Sequence, residues 1–208
     1  ALDAPALPEE PPASVAPARP AADADKATDF GSAFHRLAQI DALAGADAAR
    51  AALGAQARAH GVADEERLAA ALGRWLASGL RARARACAHV APELPFAVPL
   101  DGGVLRGEVD LLAADAPWAA PAGEALIVDY KTGGAPGEDA AALRARHALQ
   151  GACYAYAALT AGYEAVELVF ARVEQPDPAD PAEPQPVAYR YAAADLPALR
   201  AALRVAAG

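Results

Sequence analysis

Methionine is absent from this 208-residue sequence, aromatics make up 6% of it, and cysteine occurs twice. Two cysteines, Cys87 and Cys153, cannot build a disulfide framework, a four-cysteine zinc site or a cysteine-ligated iron–sulfur cluster. No apolar run approaches the ~20 residues that a membrane-spanning helix needs. The first residues, ALDAPALPEEPP, lack the basic and apolar regions of a signal peptide. The expectation is a soluble, intracellular and cytoplasmic chain with no membrane partner. Alanine inflates the hydrophobic fraction of 55%. With so few aromatics, that composition predicts helices packed through small residues around a few Leu, Val, Phe, Trp and Tyr anchors. A chain of this length supports one domain with appendages, or two small ones, and needs no disulfide to fold.

The formal net charge is −9. A free-standing nucleic-acid binder usually carries a basic face, so this balance alone argues against one. The excess is uneven: residues 1–30 hold six acids against two bases, and the remainder 21 against 16. A clustered metal site would account for part of the second surplus.

Six of the first twenty residues are proline, and residues 1–29 read as a linker or extended arm. That run-in and the missing initiator methionine suggest a piece of a longer polypeptide. From Asp29 the character changes. Asp29 is expected to cap a helix carrying Phe34, Leu37, Ile40 and Leu43. A second helix is expected over 47–60. A third opens at Asp64, runs through Leu68, Leu72, Trp75 and Leu76, and breaks at Gly79 before Leu80–Ala88. Strands are expected at Glu93–Leu100, Val104–Ala113, Ala125–Thr132, Val166–Val173 and Val187–Tyr191. Helices are expected at Glu138–Thr160 and Asp195–Ala206, and five prolines mark 174–186 as an irregular loop. The layout predicts an α/β fold: a helical portion, then a mixed sheet flanked by helices.

The chemistry is expected around Ile127-Val128-Asp129-Tyr130-Lys131. Strand side chains alternate faces, so Asp129 and Lys131 share one face and Val128 and Tyr130 the other. The plain reading is an ion pair at a strand end. Yet the chain uses sixteen arginines for two lysines, so a lysine here points to a compact, pKa-tunable charge. The preceding strand carries Asp110. If the two strands form an antiparallel hairpin, both carboxylates reach neighbouring positions. Their repulsion is resolved by a divalent cation: Mg²⁺ with oxygen ligands, or Mn²⁺, which also accepts nitrogen.

Gly107-x-x-Asp110, then about twenty residues, then Asp129-x-Lys131 resembles the PD-(D/E)xK nuclease superfamily. Phe30-Gly31-Ser32-Ala33-Phe34-His35 resembles the helix-borne G-x-x-x-H motif of RecB-type nuclease domains. Glu93-Leu94-Pro95-Phe96, Asp129-Tyr130-Lys131-Thr132-Gly133 and Gln150-x-x-x-Tyr154 resemble segments of the AddA branch. The motifs fall in order between about residues 30 and 170. The resemblance implies a restriction-endonuclease-like fold. It implies a nuclease domain over 30–208, with a helical part over 30–90 and the sheet and its helices over 91–208. By resemblance, Asp110, Asp129, the Tyr130 carbonyl and His35 would ligate Mg²⁺ or Mn²⁺. Lys131 would orient or help deprotonate the attacking water. Gln150 and Tyr154 would line the site and touch the DNA backbone. The activity implied is exonucleolytic cleavage of DNA in double-strand break repair. The implied partners are DNA, a helicase region of the same polypeptide, and in addition a second subunit in some arrangements. The cysteine count again argues against an iron–sulfur branch.

Other readings stay open on the residues alone. His35 is equally at home as a structural or surface histidine, and Tyr154 as a helix residue packed on the sheet. Glu93 and Glu108 are weaker candidates for the site. His147 and Gly151 depart from the pattern, and Gly151 should soften its helix by ~1 kcal/mol relative to Ala. Arg67, Arg74, Arg81 and Arg85 would form a phosphate-holding stripe if 64–88 is nearly continuous, or else a solvated helix face. An inert module that keeps the nuclease fold and binds DNA ends or a protein partner is the alternative function. A free-standing nuclease acting on another nucleic acid is a third.

Overall fold

Thr28, rather than Asp29, caps the first helix. Its hydroxyl accepts the Gly31 N–H at 2.9 Å, and Asp29 stands in the first turn, where its charge suits the helix dipole. This helix, α1 (Asp29–Ala44), opens the part of the chain that the computed structural model describes, residues 28–207. The arm expected over 1–29 lies outside the described residues except for its last two. Helices α2 (Ala46–Ala59), α3 (Glu65–Ala77) and α4 (Gly79–Ala86) follow. Asp64 caps α3 as expected. The break before α4 falls at Ser78, because its hydroxyl both donates to the Trp75 carbonyl at 2.8 Å and accepts the Arg81 N–H at 3.1 Å. One side chain thus closes one helix and starts the next.

The chain then builds β1 (His89–Leu100), β2 (Gly103–Ala114), β3 (Glu124–Lys131), α5 (Ala140–Ala161), β4 (Ala165–Pro176) and β5 (Pro184–Ala192). A short 3₁₀ turn, Ala193–Asp195, leads into α6 (Leu196–Ala207). The five strands lie in sequence order in one sheet, antiparallel except for the parallel pair β3–β4, which α5 joins as its crossover. The result is a mixed sheet flanked by helices. Among the described residues, no helix is long and apolar enough to cross a membrane.

The sheet separates two apolar layers. Ala125 and Ile127 of β3 pack with α5 and α6, whereas Leu126, Val128 and Tyr130 pack with α1–α4. This alternation is what the strand pattern predicts. Strands β4 and β5 extend into the proline-rich stretch, so the loop between them shrinks to residues 177–183. Proline is tolerated there because β5 is an edge strand and its lost N–H breaks no interior ladder. Gly151 of α5 sits against β4, where an added Cβ would come within 3.0 Å of the Leu168 side chain. The missing side chain allows that close approach, at the cost of lower helix propensity.

The condition for an arginine stripe, a continuous helix over 64–88, is not met, and the arginines take individual partners instead. Arg67 pairs with Glu174, Arg74 donates to the Val173 carbonyl, Arg81 grips buried Asp41, and Arg85 donates to the Ala42 carbonyl. These guanidiniums fasten the helical layer to itself and to the end of β4.

Candidate active site and metal centre

The β2–β3 ladder runs from the pair Ala114–Ala125 to Leu111–Val128 and stops. The next residue along each strand is an aspartate, Asp110 and Asp129. Instead of continuing the ladder, Asp110 Oδ2 accepts the Tyr130 N–H at 2.8 Å. The hairpin expected from the sequence therefore forms, and the two carboxylates stand at its opened end. Both are buried.

Glu93 lies across from Asp110 in the β1–β2 register, between the pairs Pro92–Leu111 and Leu94–Val109. Its backbone is left-handed, with φ +48°, a conformation costly for a residue with a long side chain. The inward-facing parity of the hairpin changes at this row. Toward the β1–β2 turn, Leu105 and Val109 join the α5-side layer; beyond it, Leu112 and Ala114 do. The kink at Glu93 thus rotates one half of the hairpin against the other and places two acids at the pivot.

His35 arrives from α1. Its Nδ1 lies 3.4 Å from Asp110 Oδ2 and 3.7 Å from Glu93 Oε1. The Tyr130 ring packs edge-on against His35, Phe34 and Trp75, which fixes the end of β3 against α1 and α3. One ligand atom from each of His35, Glu93 and Asp110 fits within 4.8 Å of the others. An imidazole and two carboxylates are a donor set for a hard divalent cation, and the nitrogen makes Mn²⁺ as suitable as Mg²⁺.

Asp129 stands beside this trio rather than in it. Its Oδ1 lies 2.8 Å from Lys131 Nζ. Its Oδ2 accepts from Gln150 Nε2 at 2.8 Å and from the Tyr154 hydroxyl at 3.0 Å. Gln150 also donates to the Tyr154 oxygen at 2.9 Å. Burial raises the Asp129 carboxyl to about 6, the Asp110 charge adds to that rise, and Lys131 and His35 oppose it. Burial, and then the Asp129 and Asp110 charges, push the Tyr154 phenol well up, so it stays a donor.

The expected residues His35, Asp110, Asp129, Lys131, Gln150 and Tyr154 therefore converge on one buried locus. Gln150 and Tyr154 meet Asp129 directly. Tyr130 contributes its N–H and its ring through the contacts just described. Glu93 joins Asp110 and His35 more closely than its place as a weaker candidate implies; its sequence signal was the Glu93-Leu94-Pro95-Phe96 segment. Glu108 lies exposed, two rows from the pivot toward the β1–β2 turn.

The loop after Lys131 is also held. Arg172, buried and opposite Lys131 in the parallel register, binds Glu138 and the Ala135 carbonyl. Glu174 accepts the Gly133 N–H, and Gln175 donates to the Gly134 carbonyl. The end of β4 thus anchors the segment that carries the chain from Lys131 to α5. His147, on the first half of α5, stacks on Phe170 with ring centroids 4.7 Å apart.

The site thus sets a strand-borne Asp-x-Lys beside a recessed group of one imidazole and two carboxylates. The PD-(D/E)XK nuclease superfamily model matches residues 12–207, and the chain belongs to that superfamily. Nucleases of this superfamily typically use divalent metal ions, and the His35–Glu93–Asp110 group is the candidate place for one here. No curated protein matches the chain.

Proposed function

We propose that this chain is a Mg²⁺- or Mn²⁺-dependent deoxyribonuclease. In this reading it is the exonuclease module of a RecB/AddA-like helicase–nuclease that processes DNA ends in double-strand break repair. Its partners are DNA, a helicase region of the same polypeptide and a second subunit, in the cytoplasm. The observation that carries the nuclease reading is the convergence of His35, Glu93, Asp110, Asp129 and Lys131 at the opened end of β2 and β3. The ordered motifs support the subtype.

His35, Glu93, Asp110 and Asp129 would hold the cation, with the Tyr130 carbonyl as a further ligand. When bound, a divalent cation supplies a Lewis acid that acidifies water and offsets charge developing on phosphate oxygens. Lys131 brings the one lysine charge of the site to the edge of that centre. It orients the attacking water, takes part in its deprotonation, and balances charge on the scissile phosphate. Asp129 fixes the Lys131 ammonium, and Gln150 and Tyr154 fix Asp129. Gln150 and Tyr154 also line the approach of the DNA backbone.

Incubating the protein with linear DNA and Mn²⁺ or Mg²⁺ tests this, with Asp129→Ala and Lys131→Ala as comparisons. Metal-dependent degradation lost in both variants is expected. Activity unchanged from wild type in both variants would reject the reading. Calorimetric titration of folded protein with Mn²⁺ separates it from the inert, end-binding alternative, which predicts no binding.

A further inference from the structure

Gly107 carries no left-handed backbone, so its lack of a side chain answers to space rather than to conformation. The space is filled by Phe96 from the neighbouring strand, its partner in the β1–β2 register. A Cβ on Gly107 would lie 2.6 Å from Phe96 Cζ and 2.8 Å from Cε1. Phe96 is buried, and its ring meets the Tyr154 ring edge-on, with centroids 6.0 Å apart and an interplanar angle of 84°. The Tyr154 hydroxyl donates to Asp129 Oδ2 and accepts from Gln150, which donates to the same carboxylate oxygen. A continuous contact therefore runs from Gly107 through Phe96 and Tyr154 to Asp129. It ties the distal half of the β1–β2 hairpin to the carboxylate on β3.

We propose that Phe96, seated on Gly107, is a positioning residue. It holds the Tyr154 ring, and through the Tyr154 hydroxyl it sets the rotamer of Asp129. Its consequence for metal and DNA rests on the nuclease reading, but the geometric claim stands apart from it. The G-x-x-D glycine and the phenylalanine of the β1 segment then serve one purpose: a flat aromatic face brought close enough to α5 to orient a ligand. A side chain at 107 would push the Phe96 ring toward Tyr154 and turn Asp129 away from Gln150.

The test uses the full chain and four forms: wild type, Gly107→Ala, Phe96→Leu, and the double variant. Leucine lacks the Cε and Cζ atoms that an alanine at 107 would strike. Two readouts besides activity are taken. The Gln150 side-chain amide resonances in metal-free protein report the Asp129 contact. Mn²⁺ affinity is measured by calorimetry. Gly107→Ala is expected to shift the Gln150 amide signals and weaken Mn²⁺ binding by ~10–100-fold, with kcat on DNA falling more than KM rises. The double variant is expected to recover Mn²⁺ affinity to the level of Phe96→Leu, a coupling that separate structural damage would not produce. Gly107→Ala with unchanged Gln150 signals and Mn²⁺ affinity overturns the proposal, as does a double variant no better than Gly107→Ala. Should Gly107→Ala fail to fold, Phe96→Ala opens the same contact without a clash. It is expected to move both readouts, and no movement overturns the proposal. A wild type that neither binds Mn²⁺ nor cuts DNA would sink the nuclease reading while leaving the Gln150 signals to judge Phe96.

Discussion

Asp110 and Asp129 are the corresponding residues of two adjacent strands, yet they live in opposite surroundings. Asp129 is ringed by donors: an ammonium, a carboxamide and a phenol all point at it. Asp110 shares its locus with a second carboxylate, Glu93, and an imidazole, and takes a backbone N–H. The first arrangement defines an orientation. The second gathers negative charge that a cation would neutralise. The comparison teaches that one carboxylate of a site can be aimed by hydrogen bonds, while others crowd together and leave charge for an ion to neutralise.

The largest effects should come from breaking each half outright. Asp110→Ala removes a ligand from the crowded half, and Lys131→Ala removes the ammonium from the donor half. Each is expected to lower metal-dependent DNA cleavage by ~10²–10⁴-fold, the range for a lost acid–base or charge-stabilising group. Only Asp110→Ala should also abolish calorimetric Mn²⁺ binding. If both variants lose Mn²⁺ binding equally, the division between a donor-aimed and a crowded half of the site is wrong.

Cation binding should relieve the crowded half and so stabilise the fold. At a free Mn²⁺ concentration of 100 times its Kd, linkage contributes about 2.7 kcal/mol. For a chain of this size that raises Tm by roughly 5–10 °C. Differential scanning calorimetry with Mn²⁺ and then with excess chelator checks it. An Asp110→Ala protein should show no such rise.

Glu93 sharpens the contrast from the backbone side. Its left-handed φ of +48° is a local cost of the order of 1 kcal/mol. Glu93→Gly should therefore leave metal-free Tm unchanged or a few degrees higher, while Mn²⁺ affinity drops by ~10-fold or more. A large loss of metal-free stability would mean that Glu93 builds the hairpin rather than the ion site.

Parts of this were legible from residue types alone. The run Ala125–Lys131 is apolar and alternating, and it forms the central strand with Asp129 and Lys131 toward α5. Four-residue spacing put Gln150 and Tyr154 on one helix face. That this face turns to Asp129 depends on how the crossover helix is rolled on the sheet, which packing decides and the spacing does not. The pivot at Glu93 was hidden for a similar reason: it is a single φ angle, and a period-2 pattern read along β1 does not register it. The arginines at 67, 74 and 81 had the spacing of a stripe, but a serine cap at Ser78 divided their helix and long-range acceptors claimed them. Cap chemistry and distant partners are the two things a local periodicity leaves out.

The smallest effect concerns protons. In the folded, metal-free protein the Asp129 carboxyl is raised from 3.8 to about 6, first by burial and then by Asp110. The folded state therefore binds this proton more tightly than the unfolded chain does. Between about pH 4 and 6 the native state holds more protons than the unfolded one, so this group's contribution to stability falls as pH rises through that window. It is flat above. Lowering the pH from about 7 to about 5 should thus raise the metal-free Tm relative to Asp129→Asn, which has no such proton. Glu138 and Glu167 act in the opposite sense, since Arg146 and Arg83 respectively hold them below the usual carboxylate value of 4.5. Their loss therefore begins at lower pH and leaves the upper part of the window to Asp129. Parallel Tm–pH curves for the wild type and Asp129→Asn would show that the donors around Asp129 outweigh its burial and its neighbour's charge. The carboxylate would then be ionised throughout, and the contrast with Asp110 would rest on geometry alone.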